Sequence, residues 1–464
     1  LKAFTAVVLG CLVVLAVHLW GYAQAGAAHW GTHQFAMFPA VWILGGTAAA
    51  LVLFFLVWGR VLSPRVRLPF AVAAPAAAVI GGILFWVFRE RLHLLGNSEV
   101  QVESLLQGRF IWQFEPGGIL APFALYRATG MDPVTLFAVL SVACGVAYLL
   151  LAAVFAREVG EDRWGRGITF FLLALAGTTR LFYGFVETTP LLAALAMLYL
   201  VLGVRLARGK GSAAGVALAG TLALVVHPLA VLLLPSLVFV LARGGGAGRG
   251  RRLSWLLIPV LALAAGGFLM ASGGLGLGET LRVTLGGNLL PFHGVPSLRA
   301  PYTFFSWLHL RDLLELEMLL GPFAAGLVLL LLVTGGHRRL GADGWFLLVG
   351  GGPWWLFSLL VYPGLGFPRQ WGLFVPGFTA LIMVAGMLLA RVPGRRERPS
   401  TARAAAGALV ALSLFHLIPW VGISLDPDRA SARIAGLYGP GSDQSGTARS
   451  ATFDQLGTYF LSRG

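Results

Sequence analysis

Residues 134–156 read VTLFAVLSVACGVAYLLLAAVFA, an unbroken apolar run closed by Arg157. No charged side chain interrupts it, and as a helix rising about 1.5 Å per residue it reaches across a hydrocarbon core of about 30 Å. Comparable runs recur at 3–20, 39–58, 69–88, 167–180, 190–204, 213–227, 229–242, 254–272, 314–334, 344–361, 371–390 and 404–424. The pattern predicts an all-α polytopic transmembrane bundle of about thirteen spans. A membrane barrel would instead alternate apolar and polar residues over segments of about ten, and no such alternation is present.

Composition agrees. The 464 residues are 58% hydrophobic and 11% charged, against roughly 25% charged in a soluble domain. Lipid accepts apolar side chains and requires only that backbone groups be paired, which helices do internally. The 62 glycines suit close helix approach. Cys11 and Cys144 lie within apolar runs and carry no redox signal. Ala23-Gln24-Ala25 is similar to a signal-peptidase site, but we read the run before it as a retained first span.

Charge placement sets the orientation. Loops after even-numbered spans, with the N-terminal Lys2, hold 21 of the 34 Lys and Arg residues, although they are short. Of the 19 acidic residues, 14 fall on the opposite side. Short basic loops stay cytoplasmic, which predicts a cytoplasmic N-terminus and an outside C-terminus. The net charge of +15 is therefore a topology signal, aided by anionic lipid, and not a nucleic-acid footprint. The predicted organisation is an N-terminal hairpin (1–68), a core (69–245) with outer loop 89–133, a C-terminal transmembrane region (246–424) with outer loop 273–313, and an extracytoplasmic tail (425–464). In that tail, residues 451–460 can form a short amphipathic helix faintly similar to the opening helix of a tetratricopeptide repeat.

Long outer loops on a rigid scaffold are where function concentrates. In Gly96-Asn97-Ser98-Glu99, Ser98 is a suitable helix N-cap, and Glu99 and Glu103 then share one face. Paired carboxylates can act as a base or bind a divalent cation; a solvated interfacial face is the plainer reading. Tyr183-Gly184-Phe185-Val186-Glu187 places a carboxylate among apolar residues, where ionisation is costly without a partner, and Arg180 is the candidate partner. His227 before Pro228, His293, and Arg369 in Phe367-Pro368-Arg369-Gln370 complete the outer candidates, Arg369 offering a planar fork for a lipid phosphate. Asp312, Glu315 and Glu317 read as first-turn acids suited to a helix dipole. The sequence has no P-loop, HExxH or CxxC motif, and its spans lack the midplane charges of an ion path.

Taken together, Gly96-Asn97-Ser98-Glu99, Glu115-Pro116 with Leu120 to Tyr126, Tyr183 to Glu187, and His227-Pro228-Leu229 resemble the GT-C fold of integral-membrane glycosyltransferases. That group includes protein mannosyltransferases, aminoarabinose transferases and oligosaccharyltransferase catalytic subunits. The resemblance covers roughly residues 69–245, with Tyr302 to Ser306 beyond it. It makes spans 1–2 an added hairpin. It implies a polyprenyl-phosphate-linked sugar donor, Glu99 and Glu187 as catalytic acids, and Arg369 at the donor phosphate. Glu103, Arg180, Tyr183, His227 and His293 become substrate-binding candidates. A divalent cation such as Mg or Mn, if present, would sit on Glu99 and Glu187. The bacterial cytoplasmic (inner) membrane is the implied location. A non-catalytic scaffold of a larger complex, with protein partners at the outer face, and a lipid-linked glycan transporter are the competing readings.

Orientation is directly testable. In a Cys11→Ser, Cys144→Ser background, Lys210→Cys should react with a membrane-impermeant maleimide only in inside-out vesicles, and Glu103→Cys only in right-side-out cells. The opposite pattern reverses the assignment.

Overall fold

The computed structural model describes residues 2–23, 29–61, 69–108, 117–243, 248–272, 278, 288–292, 302–391, 399–439, 444 and 446–461. The protein is all-α: among the described residues, strand pairing is limited to one isolated bridge, Leu289 with Val361. The helices are α1 (Lys2–Ala23), α2 (Ala40–Val61), α3 (Phe70–Val87), α4 (Ser98–Gln107), α5 (Leu120–Thr129), α6 (Pro133–Val159), α7 (Arg163–Ala174), α8 (Thr189–Ala207), α9 (Ala213–Val226) and α10 (Leu234–Ala242). They continue with α11 (Gly248–Leu253), α12 (Leu257–Ser272), α13 (Trp307–Leu320), α14 (Ala324–Val333), α15 (Ala342–Leu360), α16 (Phe367–Gln370), α17 (Val375–Ala390), α18 (Pro399–Ile423), α19 (Pro427–Tyr438) and α20 (Gly446–Leu461).

Each of the thirteen apolar runs is helical over most of its length. Among the described residues, six helices meet the length and hydropathy needed to cross a membrane, or seven if a bent pair counts as one. That pair is α13 and α14, which meet at 96° where the sequence suggested one straight span over 314–334. The bend has a local cause. Glu317 turns its carboxylate onto the Ala325 N–H at 2.6 Å, capping α14, while the Gly321 N–H closes α13 on the Glu317 carbonyl.

The core is layered around α6 and α17. α6 packs on α3, α7 and α8, while α17 packs on α7, α8, α14 and α15. All sixteen residues of α17 are buried, so this apolar helix meets protein on every side. α3 lies at the other extreme, with only Ala74, Ala78, Gly82 and Phe85 buried and its remaining apolar residues turned outward. At the α8–α15 crossing Gly203 lies against the Phe346 ring so closely that a Cβ would overlap it. α1 and α2 pack on α18. The α1 contact is closed by His18 Nε2 and His416 Nδ1 at 3.0 Å, beside the Phe35 and Phe415 rings, 4.9 Å apart.

A charged latch ties four helices together. Asp343, at the start of α15, accepts from Arg208 Nε at 2.7 Å and Arg391 Nη2 at 2.5 Å, and Arg208 also donates to the Glu158 carbonyl. The ends of α6, α8 and α17 are thereby fixed to α15. Asp343→Asn should cost roughly 3 kcal/mol, the low end for breaking a buried pair, because two guanidiniums then face each other. Arg208→Gln should cost less, since Arg391 still pairs. Thermal unfolding in detergent would compare the two, and equal costs would contradict the latch.

Candidate functional site

The segment between Phe182 and α8 places Glu187. Tyr183, Phe185 and Val186 are buried and hold the loop down, Tyr183 edge-on to Phe85 with centroids 4.8 Å apart. Glu187 is only 9% exposed. Its Oε1 accepts the Asn97 backbone N–H, and its Oε2 accepts the Thr189 hydroxyl at 2.7 Å. Burial pushes its carboxyl up to about 7, against the downward pull of the Asn97 N–H, the Thr189 hydroxyl and the Arg369 charge.

The Asn97 contact makes Glu187 part of the N-terminus of α4. Asn97, not Ser98, occupies the N-cap position; the Ser98 hydroxyl instead donates back to the Leu95 carbonyl at 2.8 Å. Glu187 takes the N-cap residue's own N–H, the part that a capping-box glutamate plays within one helix, here supplied from 90 residues away. A second tie follows one turn along, where the Thr188 N–H donates to Gln101 Oε1 at 3.0 Å.

Arg369 grips the same turn from the other side. Its Nε and Nη2 donate to the Gly96 carbonyl at 3.1 and 2.9 Å, and the Gly96 N–H donates to the Arg369 carbonyl at 3.1 Å. Nη1 reaches Thr452 Oγ1 at 3.2 Å and Nη2 reaches Gln455 Oε1 at 2.7 Å, both on α20. Gly96 adopts φ +69°, and a Cβ there would run into the Glu187 carboxylate, so the turn requires glycine. The carboxylates of Glu187 and Glu99 are both within electrostatic range of the Arg369 guanidinium. Glu99 itself points outward and is exposed.

Glu99, Glu187 and Arg369 are therefore gathered around one backbone turn, while the other sequence candidates lie elsewhere. Glu103 is exposed and accepts from Gln107 at 2.5 Å. Arg180 is 1% exposed. It pairs with Glu90 at 3.2 Å, not with Glu187, and donates to Ser424 Oγ at 2.6 Å. Burial pushes the Tyr183 phenol up to about 12. His227 caps the 3-10 turn Pro228–Leu233, its Nδ1 accepting the Leu229 N–H. His293, Glu115 and Pro116 lie outside the described residues.

Asp312 and Glu315 are not first-turn acids, because α13 begins at Trp307, about two turns earlier than the apolar pattern indicates. Asp312 accepts from Trp30 Nε1 and the Tyr302 hydroxyl, at 3.2 and 2.8 Å. Glu315 accepts the Gly31 N–H at 2.9 Å and meets His29 Nδ1 at 3.2 Å. Both clamp the loop after α1.

The residues do not fit a metal ion. Both Glu187 oxygens are taken by protein donors, and the described residues contain no group of three His, Cys, Asp or Glu arranged to hold one. Sequence reasoning missed Glu90, Gln101, Thr189, Thr452 and Gln455. Glu90, in the outer-loop stretch Arg89-Glu90-Arg91, carried a signal as an acid between bases. Neutral tail residues Thr452 and Gln455 carried none.

No protein-family model matches the chain, and no curated protein matches its sequence. Its fold does match solved structures. ArnT from Cupriavidus metallidurans in the apo state superposes with a TM-score of 0.52 at 15% identity, over 78% of each chain. ArnT bound to undecaprenyl phosphate gives a TM-score of 0.54 at 14% identity, over 78% of this chain and 79% of that one. The chain thus shares a GT-C-like fold with these structures, and it is a multi-pass integral membrane protein.

Glu187 makes stability pH-dependent with a defined sign. Its carboxyl titrates near 7 in the fold against an ordinary value of 4.5, so between those values the folded state holds the extra proton. Its contribution is then most favourable below pH 4.5, declines up to about pH 7 and is flat above, for a total of about 3 kcal/mol. Glu187→Gln should remove that decline in thermal-unfolding scans across pH; an unchanged profile would contradict the burial argument.

Proposed function

We propose that this chain is a glycosyltransferase of the bacterial cytoplasmic membrane. It moves a sugar from a polyprenyl-phosphate-linked donor to an acceptor at the outer face. The observation that carries the reading is the turn at Gly96-Asn97, held between Glu187 and Arg369 on a GT-C-like fold with Glu99 two residues on. A site at the mouth of a helical bundle suits a donor whose tail stays in lipid. One of the similar ArnT structures holds undecaprenyl phosphate, a lipid of that class.

In this reading Glu99 takes the proton from the acceptor's nucleophile. The nucleophile then forms a bond to the sugar's anomeric carbon, and the bond from that carbon to the phosphate oxygen breaks. The electron pair leaves on the polyprenyl phosphate, whose charge the Arg369 guanidinium stabilises. Glu187 is a positioning residue: it holds Asn97 and, through it, the first turn of α4. General-base catalysis is worth about 10²–10⁴-fold, which sets the scale for losing Glu99.

A second reading has its own observation. The Arg369 fork is filled by Gly96, Thr452 and Gln455, and both Glu187 oxygens are occupied. That favours a non-catalytic scaffold whose polar groups serve packing, its outer face covered by a partner protein.

Nanodisc-embedded protein assayed against a panel of radiolabelled undecaprenyl-phosphate hexoses and pentoses, with membrane-extract acceptors, separates the two. Catalysis predicts turnover that falls at least about 100-fold in Glu99→Gln with little change in thermal stability. Glu187→Gln should shift the pH–rate profile while retaining measurable turnover. Turnover equal in wild type and Glu99→Gln removes Glu99 from the chemistry. No turnover, together with no stabilisation by undecaprenyl phosphate, leaves the scaffold reading standing.

A further inference from the structure

A second charged cluster lies apart from the Gly96-Asn97 turn, where the first tail helix α19 meets the bundle. Arg180 sits at the end of the 3-10 turn Gly177–Phe182, Glu90 in the loop after α3, and Arg433 on α19. Arg180, Glu90 and Arg433 are 1%, 5% and 4% exposed.

The hydrogen-bond inventory there is unbalanced. Arg180 Nη2 is used twice, for Ser424 Oγ and Glu90 Oε2, while its Nε and Nη1 meet no acceptor among the described residues. Arg433 Nη2 donates to the Trp30 carbonyl at 3.0 Å, and its Nε likewise meets none. Every unmatched group on these two side chains is a donor, so the matching partner must be an acceptor. The charges are unbalanced in the same sense: two guanidiniums face one carboxylate, an excess of one positive charge. Burial together with the Arg180 charge lowers Arg433 to about 10. Burial also lowers the nearby His93 imidazole, so it adds no charge at neutral pH.

Water can satisfy the donors but leaves a buried charge uncompensated, which is costly. An anion satisfies both. Side chains no more than 5% exposed suit a small anion better than a lipid-linked headgroup, and the excess of one charge sets the valence.

We propose that Arg180 and Arg433 hold a small monovalent anion of halide size between the bundle and the tail helix α19. Bound there, the anion completes the docking of α19 on the loop at Trp30, making attachment of the tail dependent on it. The proposal is independent of the catalytic reading above.

Thermal unfolding of the full chain in nanodiscs, with chloride replaced by gluconate at constant ionic strength, tests it. Chloride should raise the midpoint in proportion to the logarithm of its concentration, by about 3 °C across a hundred-fold range above half-saturation. Arg433→Gln, which balances the charge, should abolish the chloride response and be at least as stable as wild type in gluconate. A purely structural arginine would instead lower the midpoint equally in both salts. Glu90→Gln, which raises the excess to two charges, should steepen the response and remains informative if Arg433→Gln does not fold. Identical wild-type midpoints in chloride and gluconate overturn the proposal. So does a chloride response unchanged in both variants, or a response to inorganic phosphate with chloride inert.

Discussion

The backbone turn at Gly96-Asn97 is held by two charged side chains from opposite sides. Glu187 takes the Asn97 N–H, and Arg369 takes the Gly96 carbonyl with two of its donors. The Arg369 contacts are charge-assisted bonds to backbone, worth about 1.5–3 kcal/mol when fully formed. Together they connect the loop after α3, the loop before α8 and the short helix α16, segments far apart in the chain. The orientation of α4, and with it the position of Glu99, follows from this turn. So does the attachment of α20, because Arg369 spends its remaining donors on Thr452 and Gln455.

The same economy runs through the molecule. Its buried acids tie distant segments together: Asp343, at the start of α15, binds α8 and α17, Glu315 and Asp312, mid-way along α13, bind the loop after α1, and Glu317 caps the helix beyond its own. In an apolar solvent the helices gain little from hydrophobic sorting among themselves, so register is set by close packing and by these polar junctions. The Gly203–Phe346 approach and the fully buried α17 represent the packing half of that division.

Much of the helical architecture was legible in sequence, because an uncharged run such as 134–156 has few alternatives to a membrane helix. The apolar pattern failed where direction changes without a change in hydropathy. Residues 314–334 read as one span, but the 96° break between α13 and α14 depends on a carboxylate turning back to cap a helix, and periodicity does not record that. At the site, Glu187 and Arg369 stood out because a charge near an apolar run has few explanations. Their actual partners did not: the Asn97 N–H and the Gly96 carbonyl are backbone groups, and Thr452 and Gln455 are ordinary residues of a polar tail. Arg180 was visible as a buried base, but Glu90 became its partner only once the loop after α3 folded back over the 3-10 turn.

The attachment of the tail also bears on how the chain reaches its final form during synthesis. Trp30 waits for Arg433, His18 for His416, and the Gly96 turn, through Arg369, for Thr452 and Gln455. The first two contacts join residues about 400 positions apart, and the third reaches from residue 96 through Arg369 to residues 452 and 455, so all three close late in the synthesis of residues 1–464. Until then the loop at 29–37 and the arginine-held turn at residue 96 lack their last ligands. Translation of residues 433–455 is therefore the step that supplies the missing partners of these earlier segments.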